Sequence, residues 1–387
     1  MFRFLTAGES HGKGLTAIIE GMVAGLPLVE ADINRDLERR QRGHGRGGRM
    51  KIESDRAEIT SGVRHGKTLG SPISLLIENR DWKNWQDSMS VSAVEAEQER
   101  VTRLRPGHAD LAGVLKYGFD DVRNVLERSS ARETAARVAV GAVARKFLGE
   151  FGVTVRSHTV AIGGKRANVS DVIDWDRVEG SPVRCADPAG EREMIVEIDK
   201  AKSAGDTLGG VFEVVATGLP VGLGSHVQWD RKLSSRICQA ISSINAIKGV
   251  EIGAGFVLAD IPGSRAHDLI EPRGSEKVWR RSSNRSGGIE GGMSNGEPVV
   301  VRAAMKPIAT LAKPLPSVDL DTGERVDAHY ERSDVCAVPA AGVVGEAMLA
   351  IVLAEATLEK FGGDSIDETL HNFKGYVHSL ARRLERG

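Results

Sequence analysis

Apolar positions along the chain follow two periods. In KIESDRAEITSG (51–62) and GSPISLLIEN (70–79) they alternate or run on over a few residues, which predicts β-strands. Elsewhere the spacing is that of a helix. Ile33 and Leu37 lie four apart in Ala31 to Arg42, with Asp32 at the cap and Gly43 as the stop. Ser130 precedes Glu133 by three residues, ahead of an alanine- and valine-rich run to Leu148. That is the spacing of a capping box, so ERSSARETAARVAVGAVARKFL predicts a long helix. A second long helix runs from Pro339 to Phe361, turns Val343, Met348, Ile351, Val352 and Leu358 toward a core, and stops at Gly362 and Gly363. Its apolar character extends all round, which predicts burial between other layers. The longest apolar stretch, Ala337 to Leu353, is interrupted by Pro339 and Glu346 and reads as a buried helix, not a membrane span.

Short glycine motifs also echo one another. Gly25, Leu26 and Pro27 match Gly218, Leu219 and Pro220; Ser61, Gly62 and Val63, with Gly66, match Gly291, Gly292 and Met293, with Gly296. The two offsets differ by 37 residues, so a duplication needs an insertion in the second half. Coincidence between short glycine motifs is the alternative.

The 387 residues are 41% apolar, enough for a sizeable core in one large domain or two ordinary ones. A net charge of −1 gives no global field toward nucleic acid or an anionic membrane, so basic clusters act locally. Arginine outnumbers lysine by about two to one, a bias suited to bidentate recognition of phosphate and carboxylate. Cys185, Cys238 and Cys336 are far apart and lack the spacing of a zinc site, which fits a reducing cytoplasm. The opening MFRFLTAGESHG has no apolar run of signal-peptide length.

Against that neutral background, RQRGHGRGGR (40–49) packs four arginines and four glycines into ten residues. Gly43, Gly45 and Gly48 satisfy GxGxxG, but a helix precedes them and a strand follows, the reverse of a dinucleotide-binding loop. SGVRHGKT (61–68) is one residue short of a phosphate loop and leads into a strand. RNA binding would call for stacking platforms, and only 4% of the chain is aromatic. A lid for a small polyanion fits better: glycines let backbone N–H groups approach while Arg40, Arg42, Arg46 and Arg49 supply charge. Solvated loop arginines are the bland alternative. His11 in GESHG and His108 in RPGHAD sit in glycine-flanked turns beside charged residues, a setting for acid chemistry near neutral pH. Ser129 and Ser130, with Arg128 beside them, mark a helix N-terminus suited to an anion.

Taken together, TAGESHG (6–12), RQRGHGRGGRM (40–50), SGVRHGKTLGSPI (61–73), RPGHADLAGVLKYG (105–118), ERSSARETAARVAVGA (127–142), IKGVEIGAGF (247–256), SGGIEGGMSNGEP (286–298), KPIAT (306–310) and RSDVCAVPAAGVV (332–344) closely resemble the chorismate synthase family, over nearly the whole chain. The resemblance implies an α+β fold, a β-α-β sandwich with long central helices between antiparallel sheets. It also implies a single domain spanning 1–387, two related halves and a homotetramer. The implied reaction is the anti 1,4-elimination of phosphate from 5-enolpyruvylshikimate 3-phosphate to give chorismate, which requires reduced FMN without net redox change.

By motif, the flavin site takes Arg128, Ser129, Ser130, Lys306, Pro307, Ile308, Ala309, Thr310 and Arg332, with Gly291 near it and Asn245 and Ala246 from less distinctive text. His11 is expected to protonate the departing phosphate, His108 to sit against the flavin, and Asp334 to assist proton removal near flavin N5. Arg40, Arg46 and Arg49 fall where the family's substrate and nicotinamide contacts lie, weighted here toward substrate and lid. The chain length suits the type that receives reduced flavin from an external reductase; larger forms reduce FMN with NADPH themselves. The competing readings are a flavin oxidoreductase on the same scaffold and a noncatalytic RNA-binding protein.

Overall fold

The structure, a computed structural model, describes residues 2–47, 54–94, 99–170, 172–271 and 279–385. The chain opens with β1 (Arg3–Ala7), β2 (Gly14–Glu20), β3 (Ala24–Pro27), α1 (Glu30–Gln41), β4 (Ala57–Ser61), β5 (Val63–Arg64), β6 (Lys67–Leu69) and β7 (Ile73–Glu78). Helices α2 (Asp110–Tyr117), α3 (Arg123–Ser129) and α4 (Thr134–Gly149) follow. Next come β8 (Thr154–Ile162), β9 (Lys165–Arg166), α5 (Trp175–Gly180), α6 (Pro188–Ala204), β10 (Gly210–Thr217), α7 (Leu233–Ser242), β11 (Ile247–Ile252) and α8 (Gly263–Ala266). Three hairpins, β12 (Ile270–Glu271) with β13 (Arg280–Arg281), β14 (Ile289–Glu290) with β15 (Met293–Ser294), and β17 (Pro316–Val318) with β18 (Arg325–Asp327), flank β16 (Val299–Met305). The long α9 (Val338–Phe361) and α10 (Ile366–Glu385) complete the described chain.

Helices and antiparallel sheets are thus mixed. The two largest sheets run β1-β2-β7-β4 and β8-β10-β16-β11, the latter with β9 added at the β8 edge, and β3-β6-β5 form a smaller third sheet. Alternation explains which face each strand buries: Leu15, Ala17 and Ile19 on β2, Ile73, Leu75 and Ile77 on β7, Phe212, Val214 and Ala216 on β10, and Val299, Val301 and Ala303 on β16 all enter one core.

The two sheets share an order and a register. Ile19 pairs with Ile73 in one, Ala216 with Val299 in the other. In each half a single hydroxyl clasps the turn after the second strand. Thr68 Oγ1 donates to Val23 O at 2.6 Å and accepts from Leu26 N–H at 3.0 Å; Ser294 Oγ donates to Pro220 O at 2.6 Å and accepts from Leu223 N–H at 2.8 Å. The left-handed Gly62 and Gly66 (φ +82° and +73°) take the places of Gly288 and Gly292 (φ +74° and +85°). The echo therefore runs in a different register from the one the glycine motifs imply. Gly62 corresponds to Gly288 and Leu26 to Leu223, because strand pairing and not glycine spacing sets the equivalence.

Two helix starts also differ from expectation. α1 is capped at Val29, whose N–H donates to Asp32 Oδ2 at 3.1 Å, so Asp32 closes the first turn from inside. Ser130 and Glu133 form no capping box. Glu133 accepts from Thr6 Oγ1 on β1 at 2.7 Å and from Arg137 at 2.8 Å, while Ser130 is extended and accepts from Arg132 N–H. The expected single helix is consequently broken into α3, a one-turn 3₁₀ segment (Ala131–Glu133) and α4.

α4 packs on β2 and β7, α9 on β8 and β10, and the two helices pack closely on each other. α9 is apolar and long enough to cross a membrane, yet it is buried along nearly its whole length inside the protein. Cys185, Cys238 and Cys336 are free. The close approach of the helices is set by Gly141, where an added Cβ would stand 2.3 Å from the Cβ of Ala347. In an open helix Gly→Ala gains about 1 kcal/mol of propensity. Gly141→Ala should instead lower stability, by about 1–3 kcal/mol through overpacking, as read from urea unfolding. A stability equal to or above wild type would show that α4 and α9 separate freely.

Candidate active site

The N-terminal ends of α4 and α9 open together onto a cleft of about 440 Å³. Arg40, near the end of α1, is buried beneath it. Its guanidinium donates to Thr134 Oγ1 at 3.0 Å, Asp55 Oδ2 at 3.2 Å and Ala131 O at 3.0 Å. Asp55, fully buried, also pairs with Arg132, so one carboxylate orients two cleft arginines. Beyond α1 the glycine-rich turn folds against residues 333–336. Gly45 O accepts from Val335 N–H at 2.8 Å, and a Cβ at Gly47 would come within 2.6 Å of Ser333 O, so a side chain is excluded there. Asp334 accepts from Gly47 N–H at 2.7 Å and pairs with Arg46 Nη1 at 2.7 Å. Arg46, Gly47 and the Asp334 carboxylate are thus one unit.

A fourth arginine is fixed at the N-terminus of α2. Arg105 forks onto Asp110 at 2.9 and 3.0 Å, and His108 Nδ1 lies 2.6 Å from the same carboxylate. Burial alone would raise the Asp110 carboxyl, but the bonds from His108 and Arg105 outweigh it and hold it well below the carboxylate range. Glu331, also in the cleft, lies near His329, Arg105 and Arg123. Its burial is likewise overcome by His329 and by the charges of Arg105 and His11, which bring it down to about 2. Lys306 donates to Gly107 O at 2.9 Å, and burial together with Lys248 pushes its ammonium down. The apolar part of the lining comes from Ala337, Ala340, Ala341 and Val344 at the start of α9, with Ile244 and Ile308.

Of the residues expected at a site, Arg40, Arg46, His108, Ser129, Ser130, Asn245, Ala246, Lys306, Ile308, Ala309, Thr310, Arg332 and Asp334 line this cleft, and Pro307 lies in the same loop. Asn245 is tied to Ser129 O at 3.0 Å, and Ala246 holds a positive φ of 66°. Ser129 ends α3 instead of starting a helix, and its hydroxyl donates back to Val125 O at 2.8 Å. The N-terminus at the cleft is therefore that of the Ala131–Thr134 turn.

His11 lies just behind the lining, next to Ser10. Its backbone N–H and its Nδ1 both meet Glu127, each at 2.8 Å, and its ring stacks on Trp85 at 3.9 Å. Arg128 turns away and donates to Thr6 O and Gly8 O beside a separate surface cleft. Gly291 sits in the turn between β14 and β15, nearest His226, outside the cleft. Arg49 lies outside the described residues.

Sequence reasoning did not single out Asp55, Asn79, Arg105, Glu127, Arg132 or Glu331. Arg105 and Arg132 stand inside motifs that were legible, RPGHAD and SSARET, but the carboxylates that orient them have no spacing to give them away. Six cationic side chains, two carboxylates in the lining and two histidines with carboxylate partners make a site for a small polyanion with proton-transfer groups at hand.

Known proteins agree. The profile of the chorismate synthase family matches residues 2–358. A chorismate synthase from Symbiobacterium thermophilum is 57% identical over 391 residues, covering 98% of this chain and 100% of its own. Another, from Geobacter sulfurreducens, is 58% identical over 388 residues, covering 97% of this chain and 98% of its own. A crystal structure of chorismate synthase, 47% identical, superimposes with a TM-score of 0.79 over 98% of both chains. The chain belongs to the chorismate synthase family and is a lyase that eliminates phosphate from 5-enolpyruvylshikimate 3-phosphate to give chorismate.

Proposed function

We propose that the cleft holds reduced FMN against the phosphorylated substrate and that both are bound by the residues lining it. The observation that carries this reading is the donor set: an apolar wall from α9 suited to a flat ring system shares one cleft with Lys306, Thr310, Arg332 and the buried arginines, which suit two phosphates and two carboxylates. The chemistry that bound reduced flavin supplies is transient electron density as phosphate leaves, returned without net redox change.

The chain's own groups do the remainder. Arg40, Arg46, Arg105 and Arg132 take the substrate's charge, each already oriented by a carboxylate, so little side-chain entropy is lost on binding. Ser129, Ser130, Asn245, Ala246, Pro307, Ile308, Ala309 and Arg332 shape the flavin side. Nδ1 of His11 is committed to Glu127, so any proton His11 gives to the departing phosphate leaves from Nε2. His108, held by Asp110, sits against the flavin, and Asp334 takes part in moving the C6 hydrogen.

Gly291 contributes only if a second copy presents it, which agrees with a homotetramer; Arg128 contributes only by leaving Thr6 and Gly8. Arg40 is buried and bonded to Asp55, Thr134 and the Ala131 carbonyl, which suits the substrate side of the cleft; a separate reductase is the expected source of reduced flavin, with NADPH as the alternative reductant. The matched sheet orders support a single sandwich-like unit of two related halves.

An anaerobic assay with reduced FMN and 5-enolpyruvylshikimate 3-phosphate tests the reading. Many phosphates should be released per flavin; one per flavin would point to an oxidoreductase.

Asp334→Asn removes the charge that holds Arg46 while keeping the side chain's size. Turnover should fall by about a hundredfold or more, with a larger deuterium effect at C6, and the Michaelis constant should rise because Arg46 loses the negative charge paired with its Nη1. An unchanged isotope effect with normal turnover would retire the catalytic role.

Glu331 has an acid-side signature. Its carboxyl is lowered from 4.5 to about 2, so its contribution to stability is fully present above pH 4.5 and is lost as pH falls toward 2. Glu331→Gln should be less stable than wild type at pH 7 in urea, with the difference narrowing below pH 4.5. A difference independent of pH would mean that lost packing, and not charge, is responsible.

A further inference from the structure

We propose that Asn79 is a positioning residue that sets the His11 loop and Arg132 in fixed relation to each other, a role that rests on the reading of His11 as the phosphate's proton donor. Asn79 is buried and directly follows β7, whose Ile73, Leu75 and Ile77 are anchored in the core. Its amide Nδ2 donates to the carbonyls of Gly12 at 2.7 Å, Glu9 at 3.2 Å and Ser10 at 3.3 Å, which are the residues on either side of His11. Its Oδ1 accepts from Arg132 Nε at 2.9 Å, and Arg132 in turn pairs with Asp55, which holds Arg40.

The backbone of Asn79 completes the clamp. Its N–H donates to Lys13 O at 3.0 Å, and its carbonyl accepts from Trp82 N–H at 3.1 Å, starting the turn that lays Trp85 on the His11 ring. One side chain thus grips the loop from below while the turn it begins covers the imidazole. The chemistry selects asparagine. The site needs a donor toward carbonyls and an acceptor toward a guanidinium from one short side chain; aspartate lacks the donor, and glutamine is a methylene too long. A histidine displaced by about 1 Å loses on the order of a hundredfold in rate, so a rigid base under the loop acts on turnover directly.

The test is a double-mutant cycle in the full-length protein with reduced FMN and 5-enolpyruvylshikimate 3-phosphate. Asn79→Asp keeps the acceptor for Arg132 and removes the donor to the loop. It should lower kcat by about a hundredfold with little change in the Michaelis constant, whereas Asn79→Ala, which also removes the acceptor for Arg132 Nε, should raise the Michaelis constant as well. His11→Ala combined with Asn79→Asp should be within about twofold of His11→Ala alone, because both act through one group. In the ligand-free protein, the imidazole ¹⁵N signals of His11 should broaden or split in Asn79→Asp.

Wild-type turnover in His11→Ala would sink the reading of His11 itself. A slow His11→Ala beside a fast Asn79→Asp, or losses that multiply in the double variant, would overturn the role of Asn79. If Asn79→Asp does not fold, the same cycle with Asn79→Ala decides, and multiplying losses there overturn the proposal equally.

Discussion

The close contact between α4 and α9 is the constraint on which the rest of the molecule depends. Each helix covers one sheet, and the missing side chain at Gly141 lets them approach until backbone meets Ala347. That approach brings both N-terminal ends to one place. Helix N-termini carry unpaired N–H groups and partial positive charge, so two of them opening on one cleft favour an anion before any arginine is counted. The apolar first turns of α9 then supply the wall, since nothing polar is needed where a helix faces its own core.

The arginines solve a problem that follows from burial. A guanidinium removed from water is costly unless paired, and breaking such a pair costs about 3–5 kcal/mol. Asp55, Asp110 and Asp334 meet that cost for Arg40, Arg132, Arg105 and Arg46, and fix each fork in direction while doing so. The price is that the cleft is less positive than its arginines imply. The gain is a set of donors already fixed in direction, in a chain whose net charge is near zero.

The matched sheets place the site residues in matching connections. In the first half the link from β7 to α4 carries Asn79, Trp85, Arg105, His108 and Glu127; in the second the link from β16 to α9 carries Lys306, Thr310, Glu331, Arg332 and Asp334. The sheets and helices are alike, and the two links have nothing in common beyond converging on the same cleft. Chemistry is concentrated where the halves differ, because connections tolerate change that a packed strand does not.

Much was legible in the sequence because it is local. Alternation marked β7, the apolar run marked α9 as core, and the glycine- and arginine-rich turn stood out as a local cluster of charge, part of which lines the cleft, because glycine and charge act where they stand. Long motifs carried the family and with it the reaction. Tertiary structure alone decided the partners. Glu133 left its expected capping box because Thr6, far away in sequence, was nearer in space; Arg128 turned to Thr6 and Gly8 although its neighbours Ser129 and Ser130 line the cleft. Asp55 beneath Arg40 and Arg132, Glu127 beside His11 and Asn79 under its loop have no spacing that announces them. Periodicity and motif record what a residue does with its neighbours in the chain. Which carboxylate meets which arginine depends on how strands pair and helices approach, and that is fixed only when the whole core closes.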